Sequence, residues 1–327
     1  MTVTTDSVLS STDGKIHRYD FKAPQMHQIY SIVIVIVGVF GLVGNTLSAI
    51  VLHRMPQATV KLLKYLTFID ICLIILGYVD FAMGFEDPSE GSFDKVRNSI
   101  LPISHPLALT MYFAEIYLTV FIAIQRCLAV ARPLHQSRVT RESFMHKTVI
   151  VILVVSAIVN IPHWIAFPPE LKWDPYLNAT MLSSSPSEFG RSYAYRQIYS
   201  GYLTMLVRTF IPMLTLVVAN VVIVVSVRRN LAQRLQLGVT TTERDDGKIG
   251  QTTGVILAIT TMSIITHFTS ATIRILIAFW ETDMNLAKEA FFNFSSLLIM
   301  INSSTNFFFY CTFGKEFRKS LVALCRT

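Results

Sequence analysis

Ile124-Gln125-Arg126-Cys127-Leu128-Ala129-Val130-Ala131-Arg132-Pro133-Leu134 closes the third of seven apolar runs and opens a short basic stretch. An arginine at the point where a membrane helix meets water, followed by more basic residues, is placed to be met from the cytoplasm. The runs lie near 29–52, 62–84, 101–124, 147–168, 198–227, 250–280 and 286–311. Each is close to or above the roughly 20 residues with which a helix crosses a bilayer. The third run is the weakest in hydropathy, and the fourth and seventh carry breaks. The chain is 52% hydrophobic and 15% charged, with a mean hydropathy of +0.50, which excludes an ordinary soluble domain. No linker, repeat or low-complexity tract divides it. The expected fold is an all-α membrane protein: a seven-transmembrane helix bundle with a short amphipathic eighth helix. The expected parts are an outer N-terminal segment (1–28), a helical body (29–311) and an inner tail (312–327).

The first 28 residues are polar and have no apolar core. A cleaved signal peptide is therefore not expected, and the first span serves as anchor. With the N-terminus outside, the inner segments are rich in Lys and Arg and the outer ones in acids, as the positive-inside rule requires. The sequence pI of about 9.2 then reflects an inner face against anionic lipid, not nucleic acid. Asn178-Ala179-Thr180 falls in the longest outer loop, where it is an acceptor site for a glycan. The four cysteines, Cys72, Cys127, Cys311 and Cys325, all lie outside the outer segments, so no extracellular disulfide is expected.

Four further features stand in order along the chain. They are Gly44-Asn45 in span one, Asp70 in span two, Pro212 in span five, and Asn302-Ser303-Ser304-Thr305-Asn306-Phe307-Phe308-Phe309-Tyr310 in span seven. Together with the junction at Arg126, they resemble the signature positions of rhodopsin-like G-protein-coupled receptors. Asn160-Ile161-Pro162 and Asn220 make the chain most similar to the peptide (FMRFamide-like) branch of the invertebrate members. The resemblance implies a plasma-membrane receptor for an extracellular ligand, a neuropeptide in that branch's manner, that activates a heterotrimeric G protein. It assigns coupling and activation to Gln125, Arg126, Asn306 and Tyr310. It also implies a small cavity for a sodium ion at Asp70, Asn302 and Ser303, and no other cofactor. Glu115 falls on a third-span position commonly occupied there by serine.

Helix geometry puts Asp70 and Glu115 deep in the bundle, where ionisable groups need partners. Two carboxylates in one cavity repel unless a cation or a shared proton intervenes. Glu115 therefore either tightens the cation site or hydrogen-bonds a neighbouring helix. The departures from the family pattern carry information as well. Gln125 stands where an acid normally restrains the junction arginine, which predicts elevated basal signalling. Phe307 replaces the proline that kinks the seventh helix. Span six has no proline, and His267 in Thr266-His267-Phe268-Thr269 occupies the place of a tryptophan. Leu101 replaces the third-span cysteine, so the outer loop from about Pro169 to Gln197 is expected to be more mobile than in relatives.

Ala108 stands where amine receptors carry an aspartate, and Met300 where opsins carry the retinal lysine. Asp80, Arg208 and Arg274, in the outer halves of spans two, five and six, form with His267 the candidate ligand pocket. Two guanidiniums and one carboxylate suit a short peptide; alternatively Asp80 pairs with an arginine, or the arginines snorkel outward. Trp164, Trp173, Trp280 and Tyr202 read as membrane-interface residues. In the tail, Phe313, Phe317, Leu321 and Leu324 repeat at helical spacing between basic residues, as in a helix lying on the inner leaflet. Cys325 at its end is a palmitoylation candidate. The third inner loop, Val227 to Gly250, is short and begins basic. No catalytic or metal motif appears, which argues against an enzyme. Two alternatives stay open: a chemosensory receptor for a small molecule, and a seven-helix binding protein that no longer signals.

Overall fold

The computed structural model describes residues 23–55, 58–81, 92–131, 141–174, 179–237, 243–278 and 286–326. Seven long helices follow in order: α1 (Ala23–His53), α2 (Ala58–Phe81), α3 (Ser92–Ala131), α4 (Glu142–Ala166), α5 (Ile211–Leu237), α6 (Glu243–Ala278) and α7 (Leu286–Phe313). A shorter one, α8 (Lys315–Cys325), completes the chain. Among the described residues, six helices are long and apolar enough to span a membrane. The seventh, α7, has 28 residues and so runs about 42 Å. Its Asn302, Ser303, Ser304 and Asn306 lower its hydropathy, but all four are buried inside the bundle. The least hydropathic span is thus α7 and not the third. The breaks expected in spans four and seven also leave no mark on the backbone. Helix α4 passes through Pro162, and α7 runs unbroken with Phe307 in place of a proline.

Burial follows the logic of a bilayer. Ile32, Ile36, Val39, Phe40 and Val43 on α1, and Ile150, Val151, Val154, Ile158 and Ile165 on α4, are exposed apolar residues of the kind that lipid covers. The side chains that turn inward combine an apolar core with many buried polar groups. Helix α3 is the hub, touching α2, α4, α5 and α6. The inner half is closed by an apolar cluster of Leu62, Leu66, Leu118, Ile122, Ile256 and Ile259 that includes Tyr310 and Phe317. On the opposite side, Gly41 and Gly44 of α1 accept α7 at close range. A Cβ at Gly41 would lie 2.2 Å from Ser304 Oγ, and one at Gly44 2.9 Å from Phe307 Cβ.

Three local features differ from the sequence reading. The outer loop forms an antiparallel hairpin, β1 (Pro169–Asp174) with β2 (Ala179–Ser184). It lies against α3 and is followed by a single helical turn, Glu188–Arg191. Ser187 ties that turn to the end of α4: its N–H donates to Ala166 O (2.9 Å) and its Oγ donates to Ile165 O (2.8 Å). The fifth span begins with π-helical turns, Ala194–Leu203 and Leu206–Phe210, ahead of α5. The third inner loop is much shorter than 227–250, because α5 and α6 continue past the membrane to leave only residues 238–242 outside the described structure.

Helix α8 starts after Gly314, so Phe313 belongs to α7 and is exposed, while Phe317 is buried against Tyr310 and Phe307. The Arg318 guanidinium donates to Cys311 O and Thr312 O at 2.8 and 2.7 Å, capping the free carbonyls at the end of α7.

Candidate functional site

Two polar centres lie on one line through the bundle, with a cavity above them. The upper centre joins α3, α6 and α7. Asn302 is its node. Its Oδ1 accepts from Ser263 Oγ and Thr266 Oγ1, both at 3.2 Å, and its Nδ2 donates to Glu115 Oε1 at 3.0 Å. Thr119 Oγ1 donates to the same carboxylate at 3.4 Å. Glu115 Oε2 lies 3.1 Å from His267 Nε2, within ion-pair range, although the approach is not that of an aligned hydrogen bond. The other ring nitrogen of His267 meets Tyr112 Oη at 3.1 Å. Both Glu115 and His267 are almost fully buried. A buried carboxylate is costly unless it has a cationic or hydrogen-bonding partner, and the imidazole supplies one from within the chain.

The lower centre is sparser. Asn306 Nδ2 donates to Asp70 Oδ2 at 2.7 Å, and Asn45 Nδ2 donates to Ser303 O at 2.8 Å. Among the described residues, Asp70 Oδ1, Ser304 Oγ and Asn45 Oδ1 are buried without an aligned hydrogen-bond partner, and Ser303 Oγ, likewise unaligned, lies beside the Asp70 carboxylate. Of the four groups expected around a cation, only Asp70 and Ser303 have oxygens to spare. Asn302 Oδ1 already accepts two hydroxyls, and Glu115 is turned toward His267.

Farther along α3, Arg126 does not stand at the helix end, where its position in the apolar run had suggested it would. Helix α3 continues to Ala131, which leaves Arg126 more than a turn inside and buried. Among the described residues it has no carboxylate within ion-pair distance, and its Nε has no acceptor. The neighbouring Gln125 is buried and donates to Met145 Sδ on α4 at 3.3 Å. Tyr310 is buried with its hydroxyl unpartnered. At the inner rim, Lys61, Glu142, His146 and Tyr65 link α2 to α4. Lys61 Nζ is 2.5 Å from Glu142 Oε2, and His146 bridges Glu142 to the Tyr65 hydroxyl. The sequence reading did not single out this bracket.

On the outer side, a cavity of about 720 Å³ opens between α3, α4, the π-helical turns, α6 and α7. Its size falls within the range of ligand pockets, roughly 300–1,000 Å³. Arg208 and Arg274 both line it. Arg208 Nη2 donates to Asn160 Oδ1 at 3.1 Å, and its guanidinium carbon sits 5.7 Å above the Tyr112 ring. Arg274 Nη2 donates to Ser296 Oγ at 3.2 Å and lies 4.9 Å over Phe292. The π-helical turns fix where Arg208 points. Tyr117 Oη donates to Val207 O at 2.8 Å, and Thr204 Oγ1 to Tyr199 O at 2.8 Å, so the irregular backbone is held on both sides.

Asp80 does not line this cavity. It accepts from Ser104 Oγ at 2.9 Å and lies 3.0 Å from His105 Nδ1, and His105 presents its ring to the wall instead. His267 lies deeper, beneath Tyr112. His163, Tyr195 and Tyr199 belong to the cavity although they were not among the expected residues. His163 Nδ1 is 2.8 Å from Tyr195 Oη, and the two tyrosine rings stack at 5.4 Å. Asn178 lies outside the described residues, and Cys325 is the last residue of α8.

A sequence profile of the 7 transmembrane receptor (rhodopsin family) matches residues 102–310. Over 303 residues the chain is 29% identical to the FMRFamide receptor of Drosophila melanogaster, covering 90% of this chain and 53% of that one. It is 26% identical over 317 residues to the FMRFamide peptide receptor frpr-18 of Caenorhabditis elegans, covering 90% and 68%. It is 24% identical over 312 residues to the probable G-protein coupled receptor frpr-1 of the same nematode, covering 90% and 78%. The chain thus spans about half the length of the Drosophila receptor.

Proposed function

The chain belongs to the rhodopsin family of seven-transmembrane receptors, and from that premise we propose that it is a plasma-membrane receptor which binds an extracellular neuropeptide and activates a heterotrimeric G protein. The observation that carries this is a chain of side-chain contacts from the outer cavity to the polar centres in the middle of the bundle. Arg208 lies over Tyr112, Tyr112 meets His267, and His267 meets Glu115. Glu115 holds Asn302 on α7, four residues before Asn306, which is bonded to Asp70. A ligand in the cavity that moves Tyr112 or Arg274 therefore acts on α6 and α7 through direct contacts. It shifts the balance of states by as much as its affinity differs between them. When α6 departs from α3, the apolar seal around Ile256 and Ile259 opens. The buried guanidinium of Arg126 then becomes available to the G-protein α-subunit, with the N-terminus outside and α8 on the inner leaflet.

A peptide is favoured over a small chemosensory ligand by the FMRFamide receptors among the relatives. We also assign a structural sodium ion to the lower centre. Asp70 and Ser303 would hold it, supplying one carboxylate and one hydroxyl oxygen that are otherwise unspent. Such an ion would offset the charge of Asp70 between α2 and α7.

The test is G-protein dissociation in cells expressing this chain or Arg126→Ala, without ligand and across a panel of amidated peptides. A basal or peptide-evoked signal that vanishes in the variant supports the reading. A surface-exposed protein silent toward every peptide would return the small-molecule and non-signalling alternatives to the front.

A further inference from the structure

The outer cavity is one-sided in charge. Arg191, Arg196, Arg208 and Arg274 line it together with His105 and His163, and no Asp or Glu is among its described lining residues. The carboxylate that the sequence placed there, Asp80, is buried behind the wall and engaged by Ser104 and His105. Among the described residues, Arg208 and Arg274 are answered only by neutral groups: the Asn160 amide oxygen, the Ser296 hydroxyl, and the faces of Tyr112 and Phe292. A guanidinium carries five N–H donors in a planar fork. Most of that capacity is unspent in both residues, and Arg208 Nε is buried with no acceptor at all.

Positive charge concentrated in a cavity walled by protein repels cations and raises the local concentration of anions. Forked donors of this kind match the two oxygens of a carboxylate. Resting on the receptor reading above, we infer that the ligand of this cavity presents a carboxylate to Arg208 and Arg274, and that a basic group is kept from its depth. The position of Arg208 over Tyr112 places that contact at the head of the path to His267 and α6. The carboxylate reaches the cavity from one of two sources, an acidic side chain or a free C-terminus.

The experiment uses the full chain purified in detergent and synthetic tetrapeptides made in matched sets. Each set has an acidic member (Asp or Glu), its neutral isostere (Asn or Gln) and a basic member (Lys), each with an amidated and with a free C-terminus. Affinity is read from the concentration dependence of thermal stabilisation. The acidic members are expected to bind about tenfold to a hundredfold more tightly than their isosteres, as charged hydrogen bonds do. Arg274→Gln should erase that difference, and Arg274→Glu should reverse it in favour of the basic members. Stabilisation by acidic members whose C-terminus is amidated assigns the side chain as source, and a requirement for the free terminus assigns the terminal carboxylate. Equal binding of neutral or basic members would overturn the inference, as would a library that stabilises nothing while the protein still melts cooperatively. The same peptides are then tried in the G-protein assay. A response to basic peptides alone would sink the charge assignment and leave the receptor reading standing. Selective binding of acidic peptides without any G-protein response would do the opposite.

Discussion

Two buried carboxylates at the heart of this bundle, Glu115 and Asp70, are treated differently. Glu115 is knitted into three helices at once, with an imidazole at 3.1 Å, an amide donor on α7 and a hydroxyl on its own helix. Asp70 receives one amide N–H from Asn306, and around it lie oxygens with nothing to bond, while further in Arg126 and Tyr310 are also underused. In the state described the upper centre leaves one buried atom without a hydrogen bond, Glu115 Oε2, and that atom faces the His267 ring, whereas the lower tier leaves several. Buried polar atoms that lack partners are rare in folded proteins and call for an explanation. On the reading proposed above, the lower tier serves something outside the chain, a cation at Asp70 and a partner protein at Arg126. The upper centre holds α3, α6 and α7 together until a ligand disturbs it.

This contrast can be broken most sharply at Arg126. Arg126→Ala should cut G-protein dissociation at least about tenfold in cells, with surface expression unchanged, because no described partner is lost with the side chain. A drop in expression that matches the drop in signal would mean that the arginine holds the resting fold instead.

Next in size is the upper centre. His267→Leu leaves Glu115 buried without its basic partner and should cost about 3 kcal/mol of stability, measured by thermal unfolding in detergent. Adding Glu115→Gln to it should recover much of the loss. If the double variant is as unstable as the single, the pair is not the unit proposed here.

The lower centre predicts a salt effect. Exchanging sodium for choline at constant ionic strength should lower stability by about 1 kcal/mol in the wild type, as expected for a ligand that binds only the folded state. The difference should disappear in Asp70→Asn and survive in Glu115→Gln. Its disappearance in both variants would show that the two carboxylates share one cation after all.

The smallest effect expected is at Gln125. Gln125→Glu would place a carboxylate beside Arg126 and should lower ligand-independent signalling about twofold to threefold, given the modest worth of a partly buried pair. Unchanged basal output would mean that the packing of Gln125 against Met145 restrains the junction as well as an acid does.

How much of this was legible in the sequence depends on whether depth or direction was at stake. Residue counting along a helix gives depth, so Asp70 and Glu115 are placed in the interior by their distance to the span ends, whereas Asn302 and Tyr310 rest on the family resemblance. Direction around the helix needs the neighbours. Asp80 was assigned to the pocket because its depth was right, yet its side chain meets Ser104 and His105 on α3. The pairing of His267 with Glu115 joins positions on α3 and α6 far apart in the chain, and periodicity cannot reveal it. The π-helical turns were illegible for a different reason. They hold the same apolar residues as an α-helix, and what fixes them is a set of tyrosine and threonine hydroxyls bonding to backbone carbonyls. The one-sided charge of the cavity was half visible, since Arg208 and Arg274 were recognised and Arg191 and Arg196 were counted with a loop.

The close seating of Gly41 and Gly44 against Ser304 and Phe307 bears on how this machine can move. Asn45 adds a hydrogen bond to the Ser303 carbonyl in the same seam, and α8 reaches back to touch α1. There is no slack across such a joint, because separating it by even an ångström forfeits a large part of its dispersion contacts. The part that rearranges on the α7 side is then a leaf of three helices turning together. Distance probes placed on α1 should report activation as faithfully as probes placed on α7 itself.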